Sequence, residues 1–586
     1  YSPDNSLDTT FLANYAYINL VAPLGRVPGV ANVMVFGAGQ YAMRIWLNPD
    51  HLARFNITAS EVIEAINEQN QVNPAGQIGA EPVPSGQEFT YTTITTGRLT
   101  TPDEFGQIIL RAQPDGSIVR LKDVARIELG AQTYNIVGRI NGKPGAIIAI
   151  YQDPASNAIK CADGVKQVIN QWREKFPAGM DIALSLDTTI AVREGMREIV
   201  KTLWEALILV MLVVFIFLQG WRPALIPMIA VPVSLIGTFI FFPLLGFSIN
   251  TLSLFGLVLA IGLVVDDAIV VVEAIEHHIE NGLSPVEAAR QAMKEVSGPV
   301  VAIAIILAAV FVPTAFIPGI TGAMYQQFAV TIAISVIISA FNALSLSPAL
   351  GALLLRPRKE SHGPLALFFR WFNHTFSSAT NGYVAICAGL IRKLAISLLT
   401  LLLITLGSFS LARHTNSGFI PNEDQGYIFG FIQLPPASSL QRTQQVSARI
   451  TEKIQQLQGI QYVTEVVGYN LLSTVQNTYS AFYFISLQPW EKRTSPNLSA
   501  DALMKKVTHI IASEPACIGA AFPPPPIPGI GTAGGISMML QDRGGNDFNY
   551  LAQNTQKFIE AARKRPEIST ITSTLIPDVP QVYLDV

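Results

Sequence analysis

Residues Leu252–Glu276 read LSLFGLVLAIGLVVDDAIVVVEAIE, an apolar run broken near its middle by the adjacent carboxylates Asp266 and Asp267. A run of about 20 apolar residues crosses a bilayer as a helix. Each acid near the centre of such a helix costs roughly 2.5–3.5 kcal/mol on insertion scales. Two cost roughly 5–7 kcal/mol unless they are protonated, hydrated or paired. No packing role requires that, so the pair is read as part of a proton or ion pathway. The alternative is a pair of structural ion bridges to neighbouring helices. Adjacent carboxylates titrate as one coupled unit.

Six apolar runs follow one another: Thr202–Gln219, Ala224–Leu245, Leu252–Glu276, Val300–Ile317, Phe328–Leu355 and Leu394–Leu411. Six crossings put the regions before and after them on one side of the membrane. The first, third and fifth connections carry Arg222, then Arg290 and Lys294, then Arg356, Arg358, Lys359, Arg370, Arg392 and Lys393. The connections Gly246–Asn250 and Pro318–Gln327 carry neither Lys nor Arg. By the positive-inside rule the basic connections are cytoplasmic and both large flanking regions are exterior. Leu365–Phe376 (LALFFRWFNHTF) reads as an interfacial helix on the inner leaflet, or as a helix packed on the bundle.

The flanking regions are mixed α and β. Before the membrane runs, ANVMVFG (Ala31–Gly37), YAMRIWL (Tyr41–Leu47), GAIIAIYQ (Gly145–Gln152) and MDIALSL (Met180–Leu186) have strand character. Thr58 and Glu61 have capping-box spacing and open a helix through Glu68, and a second helix spans Ala162–Lys175. The order predicts split βαβ units. After Leu411, strands are expected at Tyr427–Leu434, Tyr462–Val467 and Ala481–Leu487, with helices at Ser439–Gln458, Ser499–Ser513 and Phe548–Lys564. FPPPPIPGIGTAGG (Phe522–Gly535) excludes both helix and central strand, leaving a linker or a substrate-handling loop. The order helix, strand, strand at Ser6–Leu47 returns at Phe548–Lys564, STITSTL (Ser569–Leu575) and VYLDV, which predicts two duplicated halves, a known transporter design. The chain opens at Tyr1 without Met and ends on QVYLDV, so a fragment at both ends is expected.

Absences narrow the chemistry. Only 14% of residues are charged, against roughly 25% in soluble domains, and a net charge of -3 carries no nucleic-acid signal. Cys161, Cys387 and Cys517 form no CxxC, so neither a disulfide framework nor a zinc site follows. There is no GxxxxGK[ST], GxSxG or HExxH, and GRINGKPG (Gly138–Gly145) does not supply the phosphate-loop spacing. Neither enzymatic activity nor a cofactor is expected. An ion gradient remains as the drive, worth about 2.3 kcal/mol per charge per 100 mV.

Gly246–Glu276 resembles the fourth transmembrane helix of resistance–nodulation–division (RND) multidrug exporters, and the double Asp points to the hydrophobe/amphiphile branch, the AcrB/MexB type. FGAGQYAMRIWLNPD (Phe36–Asp50), LIPMIAVPVSLIGTF (Leu225–Phe239) and GFIPNEDQGY (Gly418–Tyr427) match that branch in the family's order. The resemblance implies a membrane α-helical bundle plus α+β periplasmic domains, with ferredoxin-like βαβ porter subdomains flanking six transmembrane helices. Residues 1–39 and 131–195 would be the end of the first porter half (PN2-like), and 40–130 the docking subdomain (DN-like). Residues 196–411 would be helices two to seven, with the interfacial helix at about 365–376. Residues 418–586 would be PC1-like, entering PC2-like. The resemblance further implies a homotrimer in the bacterial inner membrane, contacting membrane lipid, with a periplasmic adaptor protein and an outer-membrane channel. It would exchange protons for hydrophobic or amphiphilic drugs. Helices eight to twelve, with the Lys and Thr and the nearby Arg that face the Asp pair in the family, are outside this sequence.

By the same resemblance Asp266 and Asp267 carry protons. Phe36 matches a phenylalanine of the distal drug pocket, and Gln132, Tyr134, Asn135 and Ile136 fall where pocket-lining residues lie. In the switch-loop region GYNLLSTVQN (Gly468–Asn477) the chain departs from the pattern: Tyr469 and Leu471 stand for phenylalanines and Thr474 for an Arg. Phe484, or in second place Phe482, falls at a further pocket aromatic. Composition alone would make Phe36, Tyr469 and Phe484 core residues. Two other readings stay open. A metal-exporting RND pump would show soft ligands, and Met34, Met43, Met538 and Met539 stand without a Cys or His beside them. A membrane sensor or scaffold would need no buried acids.

Overall fold

The computed structural model describes every residue except 73–74, 96, 115, 358–363, 416–422, 528–530, 532–535, 537, 569–570, 572, 574, 576 and 584–586, and the side chains of 364–366. One unit comprises Tyr1–Thr189 with Ile420–Val586, the other Ile190–Phe419.

The first stretch runs α1 (Thr9–Tyr15), a π-helical turn, α2 (Val21–Gly25), β1 (Val30–Phe36), β2 (Tyr41–Leu47), α3 (Pro49–Phe55) and α4 (Ala59–Gln69). It continues through β3 (Gln77–Ile78), β4 (Tyr91–Thr92), α5 (Pro102–Gly106), β5 (Ile109–Ala112), β6 (Ile118–Arg120), α6 (Leu121–Val124) and β7 (Ala125–Ala131). It closes with β8 (Val137–Ile140), β9 (Lys143–Gly145), β10 (Ile147–Gln152) and α7 (Ala158–Arg173). The Thr58–Glu61 capping box is present: Thr58 N–H donates to Glu61 Oε2 at 2.7 Å and Glu61 N–H to Thr58 Oγ1 at 3.3 Å. Antiparallel pairs β1–β10, β2–β7, β3–β4 and β5–β6 follow. The strand expected at Met180–Leu186 joins no ladder. Its backbone is satisfied singly instead: Asp181 N–H donates to Tyr1 O, Arg173 Nη2 to Ile182 O at 3.0 Å and Ser486 Oγ to Ser185 O. Alternation specifies which side chains are buried, but a ladder also needs a free edge in register.

In the second unit the apolar runs are helices: α8 (Thr189–Leu218), α9 (Trp221–Thr238), the short α10 (Phe242–Leu245), α11 (Thr251–Glu280), α12 (Pro285–Phe311), α13 (Gly319–Leu344), α14 (Leu346–Leu354), α15 (Pro364–Arg392) and α16 (Leu394–His414). Six spans among the described residues are long and apolar enough to cross a membrane. α8 begins before the expected Thr202, through a charged stretch held by Arg197–Glu194 and Lys201–Glu198 pairs of 2.8 and 3.1 Å. Arg290 and Lys294 lie within α12 rather than in a loop. The helix expected at 365–376 is the first part of α15, which runs unbroken to Arg392. Its Phe372 and Phe376 rings stack edge-on against Phe217 of α8 at 5.4 and 5.5 Å. The core lies on α11, whose Leu257, Ala260, Ile261, Val264, Val271 and Val272 recur at helical spacing and are at most 2% exposed.

The chain then forms β11 (Tyr427–Gln433), α17 (Leu440–Gln455), β12 (Ile460–Asn470), β13 (Val475–Leu487), α18 (Ala500–Ala512), β14 (Ile518–Phe522) and α19 (Phe548–Ala562). The sheet order is β14-β11-β13-β12-β8-β9, antiparallel throughout. Ile428, Ile432, Val463, Val467, Tyr483 and Ile485 face α17 and α18 and form one core with Ile450, Val507 and Ile511. Of the strands expected at 569–575 and 581–586, residues 571, 573, 575 and 581–583 are described and lie in no strand; the other positions, and most of the glycine stretch at 528–535, lie outside the described residues.

Candidate functional site

Two places carry chemistry. The first is α11. Asn250 caps it by accepting from Ser253 N–H at 3.0 Å, which fixes where the helix starts and hence its rotation. At 3.6 residues per turn, neighbouring positions point roughly 100° apart, so Asp266 and Asp267 take different surroundings. Asp267 is 3% exposed and turns towards α13, where Ser339 Oγ donates to its Oδ2 at 2.8 Å. The same hydroxyl lies 2.9 Å from Val264 O. Asp266 is exposed, in a stripe with Phe255, Leu259, Gly262, Val270 and Glu273 that no described residue covers. A Cβ at Gly262 would meet nothing within 4 Å.

Missed in the sequence was a polar seam on α13, made of Thr331, Ser335, Ser339 and Asn342, all buried. Thr238 Oγ1 and Ser335 Oγ are 2.9 Å apart, and Asn342 Nδ2 donates to Ser234 Oγ at 2.8 Å. Interhelical hydrogen bonds of this kind hold membrane helices together. The signal was available: small polar residues at intervals of four, four and three in an otherwise apolar helix.

The second place is the sheet face turned away from α17 and α18. Alternation along β11 puts Tyr427, Phe429 and Phe431 on this face, and register sets Phe429 against both Phe484 and Phe522, and Phe431 against Phe482. The rings of Phe429 lie 5.6 Å from both Phe482 and Phe484, and 5.8 Å from Phe522. Phe482 and Phe484 are two apart on one strand, so they share this face, with ring centroids 5.1 Å apart. Beside them Phe36, Ile136 and Val466 are buried against Tyr469, Phe484 and Ile147. Phe36 and Tyr469 stack at 5.1 Å. Plain alternation would put Tyr469 with Glu465 and Val467 on the helix side. A bulge between Val467 and Tyr469 reverses it. Gly468, with φ +93°, permits the bulge, since a Cβ there would collide with Asn135 O. Burial raises the Tyr469 phenol above its ordinary range.

The structure thus gathers Phe36, Ile136, Tyr469 and Phe484, with Leu471 in the adjoining ring cluster. It does not gather Gln132 or Tyr134. Gln132 and Asn135 are exposed, and Asn135 N–H donates to Thr133 Oγ1. Tyr134, 52% exposed, accepts from Ala131 N–H at 3.0 Å while Arg44 lies over its ring at 5.1 Å. Phe429, Phe431 and Phe522 were not named from the sequence, although the alternation in YIFGFIQL shows the first two. A cavity of about 330 Å³ opens beside Phe36, Ile147, Thr464 and Phe484, and Leu184 and Leu186 of the unpaired stretch line it. Asp187 also lines it, 2.6 Å from Lys166 Nζ. Burial raises its proton affinity, but hydrogen bonds from Lys166 and Thr189 outweigh this and hold the carboxyl below its usual range.

Among the described residues, no three His, Cys, Asp or Glu side chains are placed to hold a metal ion. Met538 and Met539 are exposed, and Met34 and Met43 stand on separate strands.

The whole sequence, residues 1–586, matches the model of the AcrB/AcrD/AcrF family. It is 40% identical over 580 residues to the multidrug export protein AcrF of Escherichia coli (strain K12), covering 98% of this chain and 56% of that protein. It is 39% identical over 590 residues to the multidrug resistance protein MdtF of the same strain, and 38% identical over 590 residues to the multidrug/solvent efflux pump membrane transporter MepB of Pseudomonas putida. Both of those alignments cover 100% of this chain and 56% of the relative. The chain therefore spans about half the length of the curated relatives it matches.

Proposed function

Because the chain belongs to the AcrB/AcrD/AcrF family, we propose that it is part of a proton-driven exporter of drugs and other hydrophobic or amphiphilic compounds. The exporter sits in the bacterial inner membrane as a homotrimer and works with a periplasmic adaptor and an outer-membrane channel. The observation that carries the reading is Asp267: a carboxylate 3% exposed inside an apolar helix, with one hydroxyl as its hydrogen-bond partner among the described residues. A buried acid held so sparsely is suited to gaining and losing a proton. Asp266, on the uncovered stripe of the same helix, is placed to meet polar partners from helices beyond this sequence. Proton binding drives a conformational change only if the two states bind protons with different affinity, and the pair is where that difference resides.

The exterior regions are read as porter subdomains 1–39, 131–195 and 418–586, with a docking subdomain at 40–130. The order β14-β11-β13-β12 with α17 and α18 on one face supports a ferredoxin-like porter subdomain. The aromatic face around Phe36, Tyr469 and Phe484 is the proposed substrate pocket, since ring-lined surfaces accept varied apolar ligands by stacking. α15 would begin as an interfacial helix over 365–376.

The test replaces each acid by Asn in the transporter that carries this sequence, measuring abundance, trimer content and proton-linked efflux together. Asp266→Asn and Asp267→Asn should each keep abundance and trimer content while efflux falls to background. A well-folded double variant that still exports against a gradient would sink the reading.

A further inference from the structure

We propose that Ser339 is a positioning residue that follows the protonation of Asp267 by switching its hydroxyl between two acceptors. The inference rests on the reading of Asp267 as a proton carrier. Ser339 Oγ lies 2.8 Å from Asp267 Oδ2 and 2.9 Å from Val264 O, both on α11, and is itself 3% exposed. A hydroxyl has one proton to donate and two lone pairs to accept with. Only one of the two oxygens can hold that proton at a time.

With the carboxylate ionised, the bond to Oδ2 is charge-assisted and roughly twice as strong as the neutral bond to Val264 O, so the proton points at Asp267. When a proton from solvent binds Oδ2, the new carboxyl O–H becomes a donor. It donates to Ser339 Oγ, and the serine proton turns to Val264 O. No covalent bond of Ser339 breaks, and both groups stay satisfied in both states. That matters at a site where leaving a buried polar group unpaired is costly. The hydroxyl thereby holds Asp267 in one rotamer through a full cycle and keeps α13 tied to α11.

Among the described residues, no charged group of a neighbouring helix stands beside Asp267. Of the helices packed on α11, α13 and α14 carry no Asp, Glu, Lys, Arg or His. α9 has only Arg222, in its first turn, and α12 has Glu287, Arg290, Lys294 and Glu295 in its first half. Within the apolar middle, the titratable neighbour is Asp266.

The experiment uses the intact transporter in proteoliposomes and reads the infrared carbonyl band of protonated Asp267, identified by its loss in Asp267→Asn. Ser339→Ala should move that band to higher frequency, as expected when a carboxyl loses a hydrogen-bond partner. It should also displace the pH midpoint of export by about one unit, a tenfold change in proton affinity. Abundance and trimer content should stay as in the wild type. Ser339→Thr, which keeps the hydroxyl, should restore band and midpoint, and Ser339→Cys, an isosteric weak donor, should fall between. An unmoved band and midpoint in Ser339→Ala, with or without lower abundance, would overturn the inference while leaving Asp267 as the carrier. Wild-type export by Asp267→Asn would overturn the carrier reading and this inference with it.

Discussion

Glu465 on β12 and Asp267 on α11 are both carboxylates cut off from solvent, 0% and 3% exposed, yet their surroundings differ in kind. Glu465 Oε2 accepts from Ser447 Oγ at 2.6 Å and Thr451 Oγ1 at 2.8 Å, and the Tyr483 hydroxyl lies 2.8 Å from Ser447 Oγ. Arg139, its cross-strand neighbour on β8, brings Nη1 to 3.8 Å from the other carboxylate oxygen. Among the described residues Asp267 has one hydroxyl and no cation. Burying a charge is tolerable when fixed donors and a counter-charge surround it, and such an acid becomes part of the architecture. An acid given a single reorientable donor keeps its freedom to change protonation state. On the proposed reading of Asp267 as the proton carrier, the number and mobility of partners, more than depth of burial, would separate a structural acid from a working one.

The largest expected effect breaks the structural side of this contrast. Glu465→Ala strands two hydroxyls and Arg139 at the helix–sheet interface, and removing one partner of a buried charged network costs about 3–5 kcal/mol. Abundance and thermal stability should fall sharply, and export only in proportion to surviving protein. Arg139→Ala should cost less than Glu465→Ala, because its side chain is 25% exposed, its carboxylate contact is long, and Ser447 and Thr451 still donate to Glu465. Asp267→Asn should do the reverse of Glu465→Ala, leaving the fold and removing the transport. Equal loss of abundance in both variants would dissolve the distinction.

A third acid sharpens it at intermediate size. Asp424 meets Arg493 by two bonds, 2.8 Å from Nη1 and 3.0 Å from Nη2, and also accepts from Gly426 and Ala500 N–H. Burial raises its proton affinity, but the Arg493 guanidinium and the backbone donors win and hold the carboxyl below its usual range. A carboxyl lowered in the folded state contributes stability above its unfolded pKa of about 3.9, and loses it as pH falls through the folded value. Asp424→Asn should therefore cost about 1.5–3 kcal/mol at neutral pH, and the gap from wild type should close below about pH 4. Amide exchange of Tyr427–Gln433, the strand that follows, reads this locally. A gap that stays constant down to pH 2 would show that ionisation of Asp424 contributes nothing.

How much of this was legible in the sequence follows from what each feature depends on. The membrane helices, the Thr58–Glu61 cap and β2 depend on local pattern, and the apolar runs and capping box name them. The depth difference between Asp266 and Asp267 depends on helix rotation against α13, which no single-helix pattern encodes. The unpaired stretch at Met180–Leu186 has strand alternation without a partner edge. Tyr469 sits on the ring face only because a bulge at Gly468 shifts the period. Gln132 and Tyr134 were placed by resemblance, and where the Tyr134 ring settles, beneath Arg44, is a tertiary contact that the local sequence does not encode.

The smallest effects are expected where the same contrast, fixed against free, is drawn among rings. Phe482 is fully buried with Tyr427, Phe429 and Phe522, so Phe482→Ala empties core volume and should lower abundance and the export of every substrate alike. Tyr469 and Phe484 are only partly covered, and each touches few ring partners: Tyr469 stacks on Phe36, and Phe484 meets Phe429 and Phe482. An aromatic pair contributes about 0.5–1.5 kcal/mol beyond its buried area, so losing one ring should shift export by a few-fold to roughly tenfold. Broad apolar surfaces let a ligand repack against the rings that remain, so Tyr469→Ala and Phe484→Ala should change the ranking of substrates more than the total, with the double variant larger than either. Drug-susceptibility profiles normalised to abundance would show this. A uniform loss across substrates that tracks abundance would place Tyr469 and Phe484 with Phe482, as core residues, and remove the aromatic face from the substrate path.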